Sequence, residues 1–111
     1  MIRIFLQTAY FSKKLEIRGG DLLLQEIEEE ILKNPEVGDV ISGTGGVRKM
    51  RVSDPSRGKG KRGGYRVIYL DLPSHEKTIL LTFYGKDEAD DLSPQGKKII
   101  SELVKQLKGG K

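Results

Sequence analysis

Hydrophobic residues alternate with polar ones in some stretches of the chain and recur at helical spacing in others. Alternation over Ile2–Leu6 and over 47–52 predicts two strands, because successive side chains of a strand point to opposite faces. Over 47–52 it places Val47, Lys49 and Arg51 on one face and Arg48, Met50 and Val52 on the other.

Two further segments, 65–72 and 77–84, are rich in β-branched and aromatic residues and predict two more strands. The few residues between them are short enough for a hairpin. The consecutive apolar residues Ile79, Leu80 and Leu81 indicate a strand covered on both faces, and hence a central one. His75, at the tip of this hairpin, is predicted to be an exposed turn residue.

Helical spacing recurs in three segments. Phe11 and Leu15 lie four positions apart in a short helix over 9–18, which Gly19 and Gly20 end. Asp21 is expected to cap a second helix, which Pro35 stops. The apolar face of this second helix is predicted to comprise Leu24, Ile27 and Ile31, with Glu28, Glu29 and Glu30 turned largely towards water.

The third helical segment begins with Ser93 as its N-cap and Pro94 at the first helical position. Its amphipathic pattern is carried by Ile99, Ile100, Leu103, Val104 and Leu107. The predicted order is thus β-α-α-β-β-β-α. This order predicts a small, largely antiparallel α+β sheet flanked by helices, in a single domain over residues 1–111.

Composition narrows the classes of function. The 111 residues include no cysteine, which excludes a disulfide framework and a cysteine nucleophile, and a single histidine makes a histidine-based metal site improbable. No apolar stretch approaches the ~20 residues that a membrane span requires. The first residues lack the charged start and cleavage site of a signal peptide. We expect a soluble, cytoplasmic protein with no cofactor and no metal.

The net charge of +4 is concentrated in one segment. Residues 47–66 contain eight Lys or Arg and one Asp, for a local charge of +7. Residues 1–46 contain five basic and eight acidic residues, and residues 67–111 contain seven of each, so these parts sum to −3 and zero. A run as one-sided as this favours an anionic partner such as a nucleic acid, with a merely solvated loop as the alternative.

Residues 58–63 formally match the dinucleotide fingerprint G-x-G-x-x-G, but their context excludes that function. The fingerprint requires glycines that open a helix, whereas here they lead into the strand that starts at Tyr65. A protein kinase would need a longer chain and further motifs. The loop instead offers cations for contact with a phosphodiester backbone, namely Arg57, Lys59, Lys61 and Arg62. A solubilising loop is the alternative.

An ordered series of motifs runs through the chain: N-P-x-x-G-D at 34–39, G-T-G-G-x-R-K at 43–49, G-K-R-G-G-x-R at 60–66 and Y-G-K at 84–86. The series resembles the RelE/HigB family of toxins from type II toxin–antitoxin systems, and its HigB branch in particular. The resemblance implies an antiparallel sheet flanked by helices. It also implies an endonuclease that cuts mRNA in the ribosomal A site and is silenced by a cognate antitoxin.

Metal-free cleavage of RNA through the ribose 2′-hydroxyl has three chemical requirements. The hydroxyl must lose its proton, the phosphorane must be stabilised, and the leaving 5′-oxygen must gain a proton. Fixed guanidinium and ammonium groups suit the second requirement. They suit proton transfer less well, although crowding among cations lowers the pKa of a lysine. The candidates for this arrangement are Lys49 beside Arg51, and Lys86 near Arg66.

The resemblance assigns provisional roles to these four residues as catalytic groups. Arg66 matches the family's arginine at the scissile phosphate, Lys49 and Arg51 match two basic positions of a strand, and Lys86 matches a lysine after the last strand. We expect Arg66 to stabilise the transition state, Arg51 to bind phosphate, and Lys49 or Lys86 to transfer protons. Residues expected to contact RNA or the ribosome are Arg48, Arg57, Lys59, Lys61, Arg62, Tyr65 and Tyr84.

Two positions depart from the RelE pattern. A neighbouring arginine of that branch falls on Asp87, and its base-stacking tyrosine falls near Ser93, so Tyr84 or Tyr65 would have to substitute. Asp90 and Asp91 are interpreted as favourable charges before the last helix.

The resemblance also implies a helix-turn-helix antitoxin as partner. Two other functions stay open: a ribosome or nucleic-acid binder without enzymatic activity, and a ParE-like toxin directed at DNA gyrase.

Overall fold

The computed structural model describes residues 3–54, 64–85, 88 and 92–109, which form an α+β fold with a five-stranded mixed sheet. Its elements in chain order are β1 (Ile4–Gln7), α1 (Ala9–Ile17), α2 (Gly20–Lys33), β2 (Asp39–Val40), β3 (Arg48–Val52), β4 (Tyr65–Leu72), β5 (Lys77–Gly85) and α3 (Pro94–Gly109). A 3₁₀ turn, Pro73–His75, joins β4 to β5. The α+β class predicted from the sequence is confirmed.

The strands lie in the order β1-β5-β4-β3-β2. β2, β3, β4 and β5 pair antiparallel to their neighbours, whereas β1 pairs parallel to β5. The predicted hairpin of β4 and β5 is confirmed, and β5 lies inside the sheet as expected. β2 was not predicted, because two exposed residues carry no periodic signal.

Helices α1 and α2 cover one face of the sheet, which we call the α1/α2 face. The buried side chains there include Phe11, Leu23, Ile27, Ile31, Met50, Tyr65, Tyr69, Leu80 and Phe83. The rings of Phe11 and Phe83 meet edge to face with their centroids 5.1 Å apart, an arrangement that aromatic pairs prefer. This core fixes β3, β4 and β5 as a rigid support.

Helix α3 covers the other face, which we call the α3 face. Its Ile100 and Val104 pack with Val47, Ile68, Leu70 and Leu81 of the sheet. The backbone N–H of Gly96 donates to Ser93 Oγ at 3.0 Å, so the predicted N-cap is confirmed. Ile99 was expected in the apolar stripe, but its side chain is largely exposed.

Two details of α2 differ from the prediction. The helix begins at Gly20 after Gly19, so the expected cap at Asp21 is wrong. The left-handed φ of +93° at Gly19 brings the chain into the helix one residue earlier. The buried side chains are Leu23, Ile27 and Ile31, with Leu24 only partly buried.

Among the described residues, no helix combines the length and the apolar character that crossing a bilayer requires.

Candidate functional site

The pairing of β3, β4 and β5 brings predicted site residues into one row. Arg51 is the direct partner of Arg66, and Arg66 is the direct partner of Tyr84 on the following strand. Direct partners in neighbouring strands project to the same face, with Cβ atoms roughly 5 Å apart. The two guanidinium groups and the tyrosine therefore leave the sheet on the same side.

Lys49 lies on that side as well, because it precedes Arg51 by two positions on β3. Its partner on β4 is Ile68, which belongs to the core under α3. The predicted division of the β3 side chains between two faces is thus confirmed, and Lys49 and Arg51 lie on the α3 face. We refer to Lys49, Arg51 and Arg66 as the cationic cluster.

The three cations lie at different depths. Arg66 is 3% exposed, Lys49 is half-buried and Arg51 is exposed. Both Arg66 and Lys49 also interact with other groups of the protein. A buried cation on a rigid strand beside an exposed one can hold an anion against the sheet, because the inner group is already oriented and shielded from water.

Gly64 allows the backbone at the start of β4 to lie close to the backbone at the end of β3. A Cβ atom at this position would overlap the carbonyl oxygen of Val52 and would lie 2.9 Å from the Cα of Ser53. Only glycine therefore permits this approach, which holds Arg66 opposite Arg51.

The turn before β3 is built from residues 42–46. Gly43, Gly45 and Gly46 have positive φ angles of 79°, 79° and 106°. Thr44 is buried, its hydroxyl donates to the carbonyl oxygen of Ile41 at 2.6 Å, and it accepts from the N–H of Val47 at 3.2 Å. The tight turn fixes where β3, and with it Lys49, enters the sheet.

Arg48 is not brought to the cationic cluster. It faces the α1/α2 side, opposite Tyr69, and donates to the carbonyl oxygens of Gly38 at 2.7 Å and Glu36 at 3.3 Å. These contacts tie β3 to the segment that follows α2. The structure thus gives this residue, expected to contact RNA, a different surface and a structural role.

Tyr65 also lies on the α1/α2 face, and its side chain is buried. Its ring meets Phe83 edge to face at 5.6 Å, and the guanidinium of Arg18 lies 5.3 Å from the ring centroid. Tyr84 lies on the correct face but is likewise buried. Both rings are buried in the cores on either side of the sheet, and their role as a substitute for the RelE tyrosine stays a prediction.

Several predicted residues lie outside the described part of the chain. They are Lys86, expected to be catalytic, the loop cations Arg57, Lys59, Lys61 and Arg62, and the acidic residues Asp87, Asp90 and Asp91. His75 is described and exposed, as expected for a turn.

Glu88, just after β5, forms a clamp to α1 that no sequence pattern indicates. Its carboxylate accepts from the N–H of Gly85 at 2.8 Å and pairs with Lys14 at 3.0 Å and Arg18 at 3.1 Å. Burial alone would raise the pKa of Glu88, but the Gly85 hydrogen bond and the two cations outweigh it and hold that pKa below its ordinary 4.5. The clamp joins the end of β5 to α1, far away in sequence, so no local pattern could reveal it.

Comparison with known proteins gives a likeness of fold. No family model matches the chain. One chain of the crystal structure of the intact E. coli RelBE toxin–antitoxin complex matches it with a TM-score of 0.54 and 16% identity, over 80% of this chain and 99% of that one. The isolated E. coli RelE toxin matches with a TM-score of 0.56 and 17% identity, over 95% of this chain and 98% of the toxin. The chain therefore has the fold of the RelE toxin.

Proposed function

We propose that this protein is the toxin of a type II toxin–antitoxin system and an endoribonuclease that cuts mRNA on the ribosome. The observation that carries the proposal is the cationic cluster, three cations on one rigid face of the sheet, with Arg51 and Arg66 as direct partners. The RelE fold supports it. The motif series at 34–39, 43–49, 60–66 and 84–86 supports the HigB branch.

The cationic cluster suits the charge that develops at a scissile phosphate. When a ribose 2′-oxygen attacks the adjacent phosphorus, the phosphorane carries more negative charge than the ground state. Guanidinium groups fixed beside it bind this state more tightly than the substrate, and that difference lowers the barrier. Arg66, buried and oriented, serves the phosphorane, while the exposed Arg51 binds phosphate as the strand arrives.

The remaining steps are proton transfers. A base removes the 2′-hydroxyl proton, the 2′-oxygen bonds to phosphorus, and the bond from phosphorus to the 5′-oxygen breaks as that oxygen is protonated. The products are a 2′,3′-cyclic phosphate and a 5′-hydroxyl. We assign the proton transfers to Lys49 or Lys86.

The proposed site has no side chain that ordinarily titrates near neutral pH, so cleavage needs help from the ribosome, which positions the mRNA. Lysine and arginine are inefficient proton shuttles, so positioning of the mRNA must supply much of the rate. Naked RNA is therefore expected to be cut poorly. We further propose that a cognate helix-turn-helix antitoxin binds the protein and silences it.

A single set of variants tests the proposed function. Arg51→Ala and Lys49→Ala remove cations from the proposed face, and Arg48→Ala removes one from the same strand but the opposite face. Purified proteins are added to translating ribosomes, and mRNA cuts are mapped by primer extension. Lys49→Ala removes a proposed proton-transfer group and is expected to lower the cleavage rate by about 10²–10⁴-fold. Arg51→Ala removes a phosphate contact and is expected to lower the rate by a smaller factor. Arg48→Ala is expected to retain the rate when assayed below its unfolding temperature.

The other two functions predict different results. A binder without enzymatic activity leaves the mRNA intact at saturating protein, and its variants lose affinity with a shallower salt dependence. A gyrase-directed toxin leaves the mRNA intact and blocks DNA supercoiling. Intact mRNA at saturating wild-type protein would therefore refute the proposed cleavage.

A further inference from the structure

An acidic residue, Asp39, lies at the border of the cationic cluster. On the two-residue strand β2 it is the direct partner of Lys49, while Val40 is the partner of Arg48. Because direct partners project to the same face, Asp39 lies on the α3 face, with its Cβ about 5 Å from that of Lys49. Arg51, two positions after Lys49, is a diagonal neighbour of Asp39 at roughly 7–8 Å. An exposed carboxylate therefore stands beside the groups proposed to bind phosphate.

The backbone that carries Asp39 is held in place through its neighbour Gly38. The N–H of Gly38 donates to the hydroxyl of the buried Tyr69 at 3.0 Å, and its carbonyl oxygen accepts from Arg48 at 2.7 Å. A Cβ atom on Gly38 would lie 3.0 Å from the backbone of Lys49 and from the Tyr69 ring. A side chain on a backbone held this closely has a defined position, which a reacting group requires.

A second carboxylate of the same segment, that of Glu36, is placed differently. It lies 3.8 Å from the guanidinium of Arg48, which faces the α1/α2 side and belongs to no part of the cationic cluster. Asp39 instead lies on the face proposed to receive RNA. A carboxylate there repels a phosphodiester and lowers affinity for it. A step in the reaction explains a negative charge at this position better than binding does.

The proposed cleavage needs a base for the 2′-hydroxyl and an acid for the 5′-oxygen. A carboxylate is ionised at neutral pH and accepts a proton directly, whereas nearly all lysine side chains are protonated there and are suited to donation. Asp39 and Lys49 can therefore divide the two proton transfers between them. They do so on the face where Arg51 and Arg66 stand as direct partners.

We propose that Asp39 is the general base of the cleavage reaction and Lys49 its general acid, an assignment that rests on the proposed function. The carboxylate takes the 2′-hydroxyl proton as the 2′-oxygen bonds to phosphorus. The ammonium group protonates the 5′-oxygen as its bond to phosphorus breaks. The resulting carboxylic acid and amine lie on partner residues, so a proton passes from Asp39 to Lys49 and both groups regain their starting forms.

The first measurement is single-turnover cleavage of ribosome-bound mRNA at saturating protein. Asp39→Asn keeps the size of the side chain but removes its ability to take a proton, so it is expected to cleave about 10²–10⁴-fold more slowly. Asp39→Glu keeps a carboxylate and is expected to recover part of the rate. The protein concentration that gives half the maximal rate should not rise for Asp39→Asn, because this variant loses a charge that repels RNA.

The matched control is Glu36→Gln, which removes a negative charge from the same segment on the other side of the sheet. It is expected to cleave at the wild-type rate. An equal loss of rate in Glu36→Gln and Asp39→Asn would overturn the assignment, because a change of charge alone would then be the cause. Asp39→Ser replaces Asp39→Asn if thermal unfolding shows that the latter is not folded at the assay temperature.

The second measurement separates the base from the acid. It uses an mRNA in which sulfur replaces the bridging 5′-oxygen of the cleaved linkage. A thiol is a far stronger acid than an alcohol, so the sulfur leaves without being protonated. Lys49→Ala is therefore expected to regain most of its lost rate on this mRNA, whereas Asp39→Asn is expected to stay slow.

Three outcomes would overturn the assignment: wild-type cleavage of ordinary mRNA by Asp39→Asn, rescue of Asp39→Asn by the sulfur, or failure of the sulfur to rescue Lys49→Ala. Each of them is read in a series where the wild-type protein cuts mRNA. Intact mRNA with the wild-type protein would instead refute the proposed function itself, so the two failures are distinguishable.

Discussion

Arg51 and Arg66 face each other across β3 and β4, and both side chains leave the sheet on the α3 face. Cationic side chains on directly paired strand positions repel each other, and an anion that binds both of them reduces this repulsion. Each group presents a planar fork of donors that matches phosphate geometry. The pair is therefore suited to holding one phosphate from two sides.

This relationship predicts that Arg51 and Arg66 act as a unit. If both contact the same phosphate, Arg51→Ala and Arg66→Ala each lower the cleavage rate, but the double variant loses less than the product of the two effects. Residues that share one partner show coupling energies of about 0.5–3 kcal/mol. Single-turnover cleavage of ribosome-bound mRNA by the four proteins of the cycle measures this coupling.

Lys33→Ala, at an exposed residue of α2, provides the control. Combined with Arg51→Ala, it should give additive effects, because nothing places the two residues on a common ligand. Strict additivity of the arginine pair would show that they bind separate phosphates.

Gly64→Ala is predicted to destabilise the protein and to lower cleavage together. The added methyl group overlaps the carbonyl oxygen of Val52, so the start of β4 must move away from the end of β3. Such overpacking typically costs about 1–3 kcal/mol, and the movement separates Arg66 from Arg51. Urea unfolding measures the loss of stability, and the ribosome assay measures the loss of cleavage rate.

Gly109→Ala is the matched control, because a Cβ atom there meets nothing within 4 Å. It should leave both quantities close to wild type. A stable Gly64→Ala protein with full activity would contradict the assigned role of this glycine.

The parts of the fold that rest on local chemistry could be predicted from the sequence. The two faces of β3, the hairpin of β4 and β5 and the Ser93 cap depend on neighbouring residues only, and the structure has all of them. The parallel pairing of β1 with β5 joins residues more than 70 positions apart, so periodicity carries no sign of it.

Thr8 forms another long-range contact, a hydrogen bond to β5, that sequence patterns do not indicate. Its hydroxyl accepts from the N–H of Phe11 at 3.0 Å and caps α1, while it donates to the carbonyl oxygen of Leu81 at 2.7 Å. The capping bond is local, but the second bond exists only once β5 lies beside the start of α1. The same reason explains why no local pattern indicates the clamp at Glu88.

Asp71→Ala is predicted to lower the free energy of unfolding substantially. Its carboxylate pairs with Arg3 at 3.0 Å and accepts from the hydroxyl of Thr78 at 2.8 Å, and both charged side chains are about nine-tenths buried. Removing one partner of a buried pair leaves the other charge uncompensated and costs about 3–5 kcal/mol. Chemical denaturation should show this loss, whereas Asp39→Ala, at an exposed residue of β2, should change little.

An Arg3→Met, Asp71→Leu double variant tests the cause of that loss. Replacing a buried ion pair by apolar residues of similar size is often neutral or stabilising. The double variant should therefore be more stable than Asp71→Ala. If it is equally unstable, the loss arises from packing and not from the charge left behind on Arg3.

The clamp at Glu88 predicts a pH-dependent contribution to stability. Because the pKa of this carboxyl is held below 4.5 in the folded protein, its contribution is complete above that pH and disappears as the pH falls through the folded-state pKa. Glu88→Gln should lower stability at pH 7 by up to about 1 kcal/mol, the range of exposed ion pairs. The difference from wild type should shrink towards zero at acidic pH, as urea unfolding across pH 3–7 would show. Glu16→Gln, at an exposed residue of α1, should show no such trend. If the free energy of unfolding of Glu88→Gln stays below that of wild type by the same amount down to pH 3, the carboxylate charge does not stabilise the contact between β5 and α1.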